Sequence, residues 1–247
     1  MIDLHCHILP GLDDGPSDIR HSVEMAQQAD RDGIHTICAT PHIRHDHDVR
    51  ISELPRRVRV LNEAIAGAGG AVQILTGGEV AETIVAHLTD AELAAVSLGG
   101  GGRWILLEPK PGPLSDTLDL AVVRLRERGF DSLIAHPERH LSADLLQRIA
   151  QLVDAGALVQ ATAATMCEPP ADKGMRMLAG AGLIHVLSSD SHHPRLGREV
   201  AIAAGLRVLG GIDPLAEFLP WVREIAPTAI ITGKPVVVPF PVALPDH

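Results

Sequence analysis

Apolar positions along this chain alternate between two patterns. Short runs rich in β-branched residues fall at 2–5, 34–39, 72–76, 104–108, 132–135, 157–160 and 184–188. Between them, apolar residues recur at helical spacing over 17–32, 53–67, 116–128, 142–155, 171–181 and 196–209, which predicts amphipathic helices. Gly33, Gly129, Gly156 and Gly182 stand just past four of these, where a helix end needs positive φ. Strands that are apolar almost throughout belong to a parallel sheet covered on both faces. Seven of them alternating with helices predict an α/β protein built as a closed or distorted barrel rather than an open sheet. The Gly99–Gly102 run precedes a strand, so it predicts a flexible loop and not a nucleotide-binding turn.

With 247 residues, 46% of them hydrophobic, the chain can bury one barrel-sized core or two small ones. The expected division is a single domain over 1–232, followed by an extended proline- and valine-rich arm over 233–247. The arm is expected to lie on the body or on a neighbouring subunit of a homo-oligomer. No apolar run reaches about 18 residues, so no membrane insertion is expected. The chain starts directly on a strand, without the basic lead of a signal peptide, and a cytoplasmic location is expected. Three cysteines, an odd and sparse set, fit a reducing compartment. A net charge of −10 argues against a nucleic-acid partner, and the arginines at 50, 56, 57 and 59 read as a solvated helix face.

Fourteen histidines in a chain with 2% aromatics and no tyrosine change the picture. They gather, with carboxylates, where barrel enzymes keep their chemistry, at the C-terminal ends of the strands. The first strand delivers His5 and His7, two residues apart and therefore on one face, with Asp14 in the loop behind. The following ends offer His42, Glu79, Glu108, His136 and the pair Asp190 and His192. Successive sites lie 28 to 37 residues apart, one βα unit each, with a double step of 54 before the last. These are nine candidate ligands, five histidines and four carboxylates. Mixed imidazole and carboxylate donors in that number suit two or three divalent ions such as Mn, Fe or Zn. Such a pocket attracts an anion, and phosphate is the natural one. Arg139, Arg195 and Arg198 follow the last ligands closely enough to grip its oxygens.

The segments IDLHCHILPGLDDG (2–15), ATPH (39–42), GGE (77–79), LLE (106–108), IAHPERH (134–140) and SDSH (189–192) resemble the PHP (polymerase and histidinol phosphatase) superfamily. The DDG after the paired histidines and the AHPER element resemble its bacterial manganese-dependent protein-tyrosine phosphatases of capsule and exopolysaccharide clusters. The resemblance implies a distorted (β/α)7 barrel holding three ions, manganese preferred and iron or zinc admitted. It implies His5, His7, Asp14, His42, Glu79, Glu108, His136, Asp190 and His192 as ligands and Arg139 as a phosphate holder, with Arg195 or Arg198 helping. Cys6, Ile43 and His193 depart from the family's usual residues, and the arginine after the last motif is offset.

The expected reaction is hydrolysis of phosphotyrosine on a protein by a hydroxide bridging two ions, with Arg139 and Arg198 steadying the phosphoryl charge. His42 is expected either as a ligand or as the acid for the leaving group. The resemblance implies an autophosphorylating tyrosine kinase of polysaccharide export as the substrate protein. Histidinol phosphate or another small phosphoester is the alternative substrate, and a metal-bound partner module the non-catalytic alternative. Cys38 and Arg44 match the C-x5-R spacing of cysteine-dependent phosphatases. That chemistry needs a loop of free backbone N–H groups, which Pro41 and the absence of glycine deny.

Overall fold

A computed structural model of the chain describes residues 1–140, 142–169 and 172–244. Residue 171, at the start of one predicted helix, and residues 245–247 of the predicted arm lie outside the described residues. Nine strands are present among these residues: β1 (Ile2–Cys6), β2 (Thr36–Ala39), β3 (His42–Ile43), β4 (Gln73–Thr76), β5 (Glu79–Ala81), β6 (Trp104–Glu108), β7 (Asp131–Ile134), β8 (Leu158–Thr162) and β9 (Val186–Ser188). All pair in parallel, in the orders β1-β2-β4 and β3-β5-β6-β7-β8-β9.

The two strands beyond the seven predicted are continuations. β2 and β3 are halves of one stave broken at Thr40 and Pro41, where proline has no N–H for the ladder. β4 and β5 are interrupted by Gly77 and Gly78, and a Cβ on Gly78 would come within 2.8 Å of Ile43 and 2.9 Å of Val96. Counted so, there are seven staves. The ring closes where His5 O accepts from Asp190 N (2.8 Å) and His7 N donates to Ser191 O (2.9 Å). The result is a distorted barrel in which β1, β2 and β6 are buried almost throughout, with Asp3 and His5 of β1 and Thr36 of β2 as polar residues among apolar ones.

Helices α1 (Ile19–Asp32), α2 (Leu54–Gly67), α3 (Asp90–Val96), α4 (Asp116–Glu127), α5 (Leu145–Asp154), α6 (Asp172–Gly180), α7 (Ala203–Leu209) and α8 (Ala226–Ile231) cover the outside. α1 shows why the boundaries were readable: Asp18 caps its first N–H groups, and Gly33 ends it at φ 82°. Among the described residues, no helix is long and apolar enough to cross a membrane.

Two expectations need correction. The helix predicted over 196–209 forms only at 203–209, where Asp32 accepts from the Ile202 and Ala203 N–H groups. Pro194 and Gly197 disfavour helix in the preceding stretch, which becomes a loop over the strand ends. The Gly99–Gly102 run is a close crossing rather than a slack loop: Cβ atoms on Gly99 and Gly101 would lie 2.5 Å from Ile231 O and 2.6 Å from Gly233 N. α3 was missed although Thr89 and Glu92 form a capping box ahead of it, and α8 was missed behind an irregular turn at Trp221–Ile225. Residues 233–244 run along the barrel's own base, with Phe240 buried beside His185 and Trp221, and Ala243 N donating to Ala181 O (3.1 Å).

Candidate metal centre

At the C-terminal end of the staves, nine side chains point into one space. Glu79, the first residue of β5 and fully buried, sits at the middle. Its Oε1 lies 2.9 Å from His136 Nε2 and 3.3 Å from His5 Nε2. Its Oε2 lies 2.8 Å from His42 Nδ1 and 3.3 Å from His7 Nε2. Asp190 Oδ1 approaches His5 Nε2 at 3.5 Å, and Glu108 Oε2 approaches His42 Nδ1 at 3.6 Å. Asp14 Oδ1 faces His42 Nε2 (3.5 Å) and His192 Nε2 (3.4 Å). Four overlapping groups of convergent donors result: His7, Asp14, His42 and His192; His5, His7 and Asp190; His5, Glu79 and His136; and His42, Glu79 and Glu108. Every one of the nine sequence-derived candidates falls in at least one group.

The backbone is bent to make this convergence. Among the described residues, His136 and Asp190 are the two non-glycine residues with positive φ (32° and 49°), each at the exit of a stave. Histidine and aspartate tolerate that region better than most residues, at a cost of about 1 kcal/mol or more.

Residues that sequence reasoning passed over hold the donors in place. Asp13 Oδ2 accepts from His7 Nδ1 (2.8 Å) and from His42 N (3.0 Å), so the Nε2 of His7 is left facing the cluster. Gln160 Oε1, on β8, accepts from His5 Nδ1 (3.0 Å) and His136 N (3.3 Å). Asp3 Oδ1 accepts from His5 N (3.2 Å) and Ser189 N (3.1 Å), tying β1 to the strand that closes the ring. Such partners fix the tautomer and aim of a ligand. Asp13 alone carried a sequence signal, the doubled acid of the DDG run; a glutamine in mid-strand carries none.

The electrostatics show what the cluster lacks. Burial opposes charge on His7, but its hydrogen bond to Asp13 and the nearby Glu79 carboxylate outweigh it and hold the imidazolium up to about 10. His42 is raised to about 9 by the neighbouring Glu108 and Glu79 carboxylates, against burial. Burial would raise Asp190, yet His5, His136, Arg139 and Arg198 bring it down to about 2. His192, half-buried and beside the His7 charge, is pushed down to about 4. Protons on imidazoles thus stand in for positive charge that the carboxylates demand. The substitution is incomplete. His42 Nδ1 and Glu79 Oε2, though close, make no aligned hydrogen bond, and His136 Nδ1 is also without a partner. His5 Nε2 and His7 Nε2 confront one another at 3.3 Å. Buried lone pairs and carboxylates arranged so fit a divalent cation.

The cleft over the cluster, about 320 Å³, is walled by Asp14, Glu108, Arg139, Arg198, Arg44 and Leu196. The Arg139 guanidinium rests on Asp190 Oδ2, and Arg198 donates to Asp190 O through Nε (3.0 Å) and Nη2 (2.7 Å). Arg195 is not brought here. It reaches away from the cleft to Glu24, with bonds of 3.1 and 2.7 Å, so the expectation of Arg195 as a phosphate holder does not match its position. Arg44, unforeseen on the cleft wall, donates to Glu108 Oε1 (3.2 Å) and pairs with Asp46. Cys38 lies fully buried in β2, where burial pushes the thiol up to about 12, so it is no nucleophile.

A closed parallel barrel with imidazole and carboxylate donors gathered at its strand ends defines a barrel protein with a divalent-metal site. The chain belongs to the capsular polysaccharide synthesis CpsB/CapC family, whose model matches residues 1–209. It is 33% identical over 201 residues to the tyrosine-protein phosphatase YwqE of Bacillus subtilis, covering 78% of each chain. It is 26% identical over 206 residues to the tyrosine-protein phosphatase CpsB of Streptococcus pneumoniae, covering 78% of this chain and 83% of that one. Among solved structures it resembles one from a study of YwqE and CpsB as metal-dependent tyrosine phosphatases. That likeness has a TM-score of 0.83 and 25% identity over the full length of both chains.

Proposed function

We propose that this protein is a metal-dependent phosphatase that hydrolyses phosphotyrosine on another protein. The observation that carries the reading is nine donors, buried Glu79 among them, gathered in four overlapping groups beneath a cleft that also presents Arg139 and Arg198. Its named relatives support it, and they give no support to histidinol phosphate or another small phosphoester as the substrate. His5, His7, Asp14, His42, Glu79, Glu108, His136, Asp190 and His192 would hold the ions, three in number with manganese preferred. When bound, divalent ions supply Lewis acidity toward phosphoryl oxygens and water acidified into the neutral range.

The chain's own residues do the rest. Asp13 and Gln160 keep His7 and His5 with Nε2 toward the centre, so the donors are ordered before anything binds. Arg139 and Arg198 approach Asp190 from two sides and line the cleft, where their remaining N–H groups meet the equatorial phosphoryl oxygens. His42 has both ring nitrogens on carboxylates, Asp14 on one side and Glu79 and Glu108 on the other, and serves as a donor to metal rather than as an acid. A phenolate leaves without much protonation, so the reaction does not need a dedicated acid. The substrate protein is a tyrosine kinase of polysaccharide export, met in the cytoplasm.

The test is the initial rate of phosphate release from a phosphotyrosyl peptide, before chelation, after it and after manganese is restored. Activity lost with chelator and regained with manganese is expected. Activity that survives chelation, or that appears only on small phosphoesters, would overturn the reading.

A further inference from the structure

A second cavity, about 820 Å³, opens beside the metal cleft and plays no part in the chemistry above. Ile43, at the end of β3, and Val49 and Ile51, on the segment that follows, line one wall, and Ile84, Leu88 and Ala91 line the other. Two residues join it to the cleft. Arg44 lines both cavities, and the ring of His47, on the groove wall, stacks on His42 with centroids 5.2 Å apart and 19° between planes.

We propose that this groove seats the polypeptide flanking the phosphotyrosine and takes an apolar side chain from it; the proposal rests on the phosphotyrosine reading. Three observations lead there. The cleft, at about 320 Å³ and walled mainly by charge, has room for a phosphorylated side chain and leaves the main chain that bears it outside. This chain contains no tyrosine, so the substrate residue must arrive on another polypeptide, which needs a surface beside the cleft. The groove is that surface, continuous with the cleft through Arg44 and His47.

The wall chemistry says what kind of segment fits. Arg44 is already paired with Asp46 and Glu108, and Arg50 lies 3.6 Å from Glu53, so these basic groups are engaged within the protein. The half-buried Val49, Ile51, Ile84 and Leu88 offer an apolar floor instead. An aliphatic or aromatic side chain near the phosphotyrosine, laid on that floor, contributes affinity by leaving water, as apolar anchors at peptide grooves do.

The experiment compares wild type, Ala91→Trp and Leu88→Ala on p-nitrophenyl phosphate and on two phosphotyrosyl peptides, one with leucine and isoleucine neighbours and one with serine in their place. Ala91 is exposed on α3, so tryptophan there narrows the groove without disturbing the core. For the apolar peptide, Ala91→Trp should raise KM about tenfold and Leu88→Ala several-fold, with kcat within about twofold. Rates on p-nitrophenyl phosphate should stay at wild-type values, and wild type should prefer the apolar peptide. Peptide hydrolysis with an unchanged KM in Ala91→Trp would overturn the groove alone. So would an equal loss on p-nitrophenyl phosphate. A wild-type enzyme active on p-nitrophenyl phosphate but idle on both peptides would overturn the phosphotyrosine reading, and the groove with it.

Discussion

His7 and His185 are both fully buried, at opposite ends of the same barrel, and their surroundings drive them in opposite directions. His7 leaves the C-terminal end of β1 among carboxylates and is held protonated up to about 10. His185 precedes β9 at the base. Its Nδ1 accepts from Val159 N (3.1 Å), and its ring lies 5.8 Å from Phe240 and 6.3 Å from Trp221. Burial alone acts on it, and its pKa falls to about 3. Equal burial therefore does not give equal charge here: it keeps His185 neutral, whereas the carboxylates beside His7 override it. The base is completed by packing, with an aromatic box closed by the C-terminal segment. The other end is completed only when positive charge is added from outside, which makes it a binding site.

That contrast separates activity from stability, and the largest expected effects test the separation directly. Glu79→Gln removes the charge shared by His5, His7, His42 and His136 while keeping the side chain's size. Phosphatase rates should fall on the order of 10³-fold, equivalent to about 4 kcal/mol of barrel-top chemistry, at saturating manganese. A loss under tenfold would mean that Glu79 is not central. At the base, Phe240→Ala opens the aromatic box and should lower unfolding free energy by about 3 kcal/mol in urea titrations, with kcat/KM unchanged. If kcat/KM fell in step with stability, the two ends would not be independent.

A smaller effect asks how far the ordering of the ligands reaches. Asp13→Asn keeps an oxygen near His7 Nδ1 and the His42 N–H but removes the charge. Manganese affinity should fall about 10- to 100-fold by calorimetric titration, with the fold intact. An affinity at the wild-type value would reduce Asp13 to a loop residue.

Asp13 also marks the border of what the sequence discloses. His5, His7, Glu79, Glu108, His136, Asp190 and His192 were legible because each falls at or just past the end of an apolar run, and these runs recur with the βα period. The ring of staves was legible for the same reason, down to helix ends marked by glycine. Gln160 and Arg44 were not, because their roles depend on contacts between distant segments that no local pattern encodes. Arg195 and Arg198 look equivalent in sequence. Only the loop formed around Pro194 and Gly197 turns one to Asp190 and the other to Glu24. The positive φ at His136 and Asp190 was equally invisible, since it is imposed by the convergence of the staves.

The smallest effect returns to His185 and is a matter of sign. Its folded pKa, about 3, lies below the value of 6.5 expected when exposed, so the unfolded chain binds the extra proton. Stability from this group is therefore complete above about pH 6.5 and is lost as pH falls toward 3. Between pH 7.5 and 5.5 the loss should be about 1.4 kcal/mol. In metal-free protein His7 and His42 act the other way over that window, because their raised pKa values favour the folded state as pH falls. Total stability thus conceals the term, and a paired comparison is needed. His185→Gln keeps an acceptor for Val159 N but cannot titrate. Urea unfolding of both proteins at the two pH values should show wild type losing about 1.4 kcal/mol more than the variant. Equal losses would mean that His185 already exchanges its proton with solvent in the folded state. The base would then be open to water, and the contrast with the metal end would rest on charge alone rather than on packing against charge.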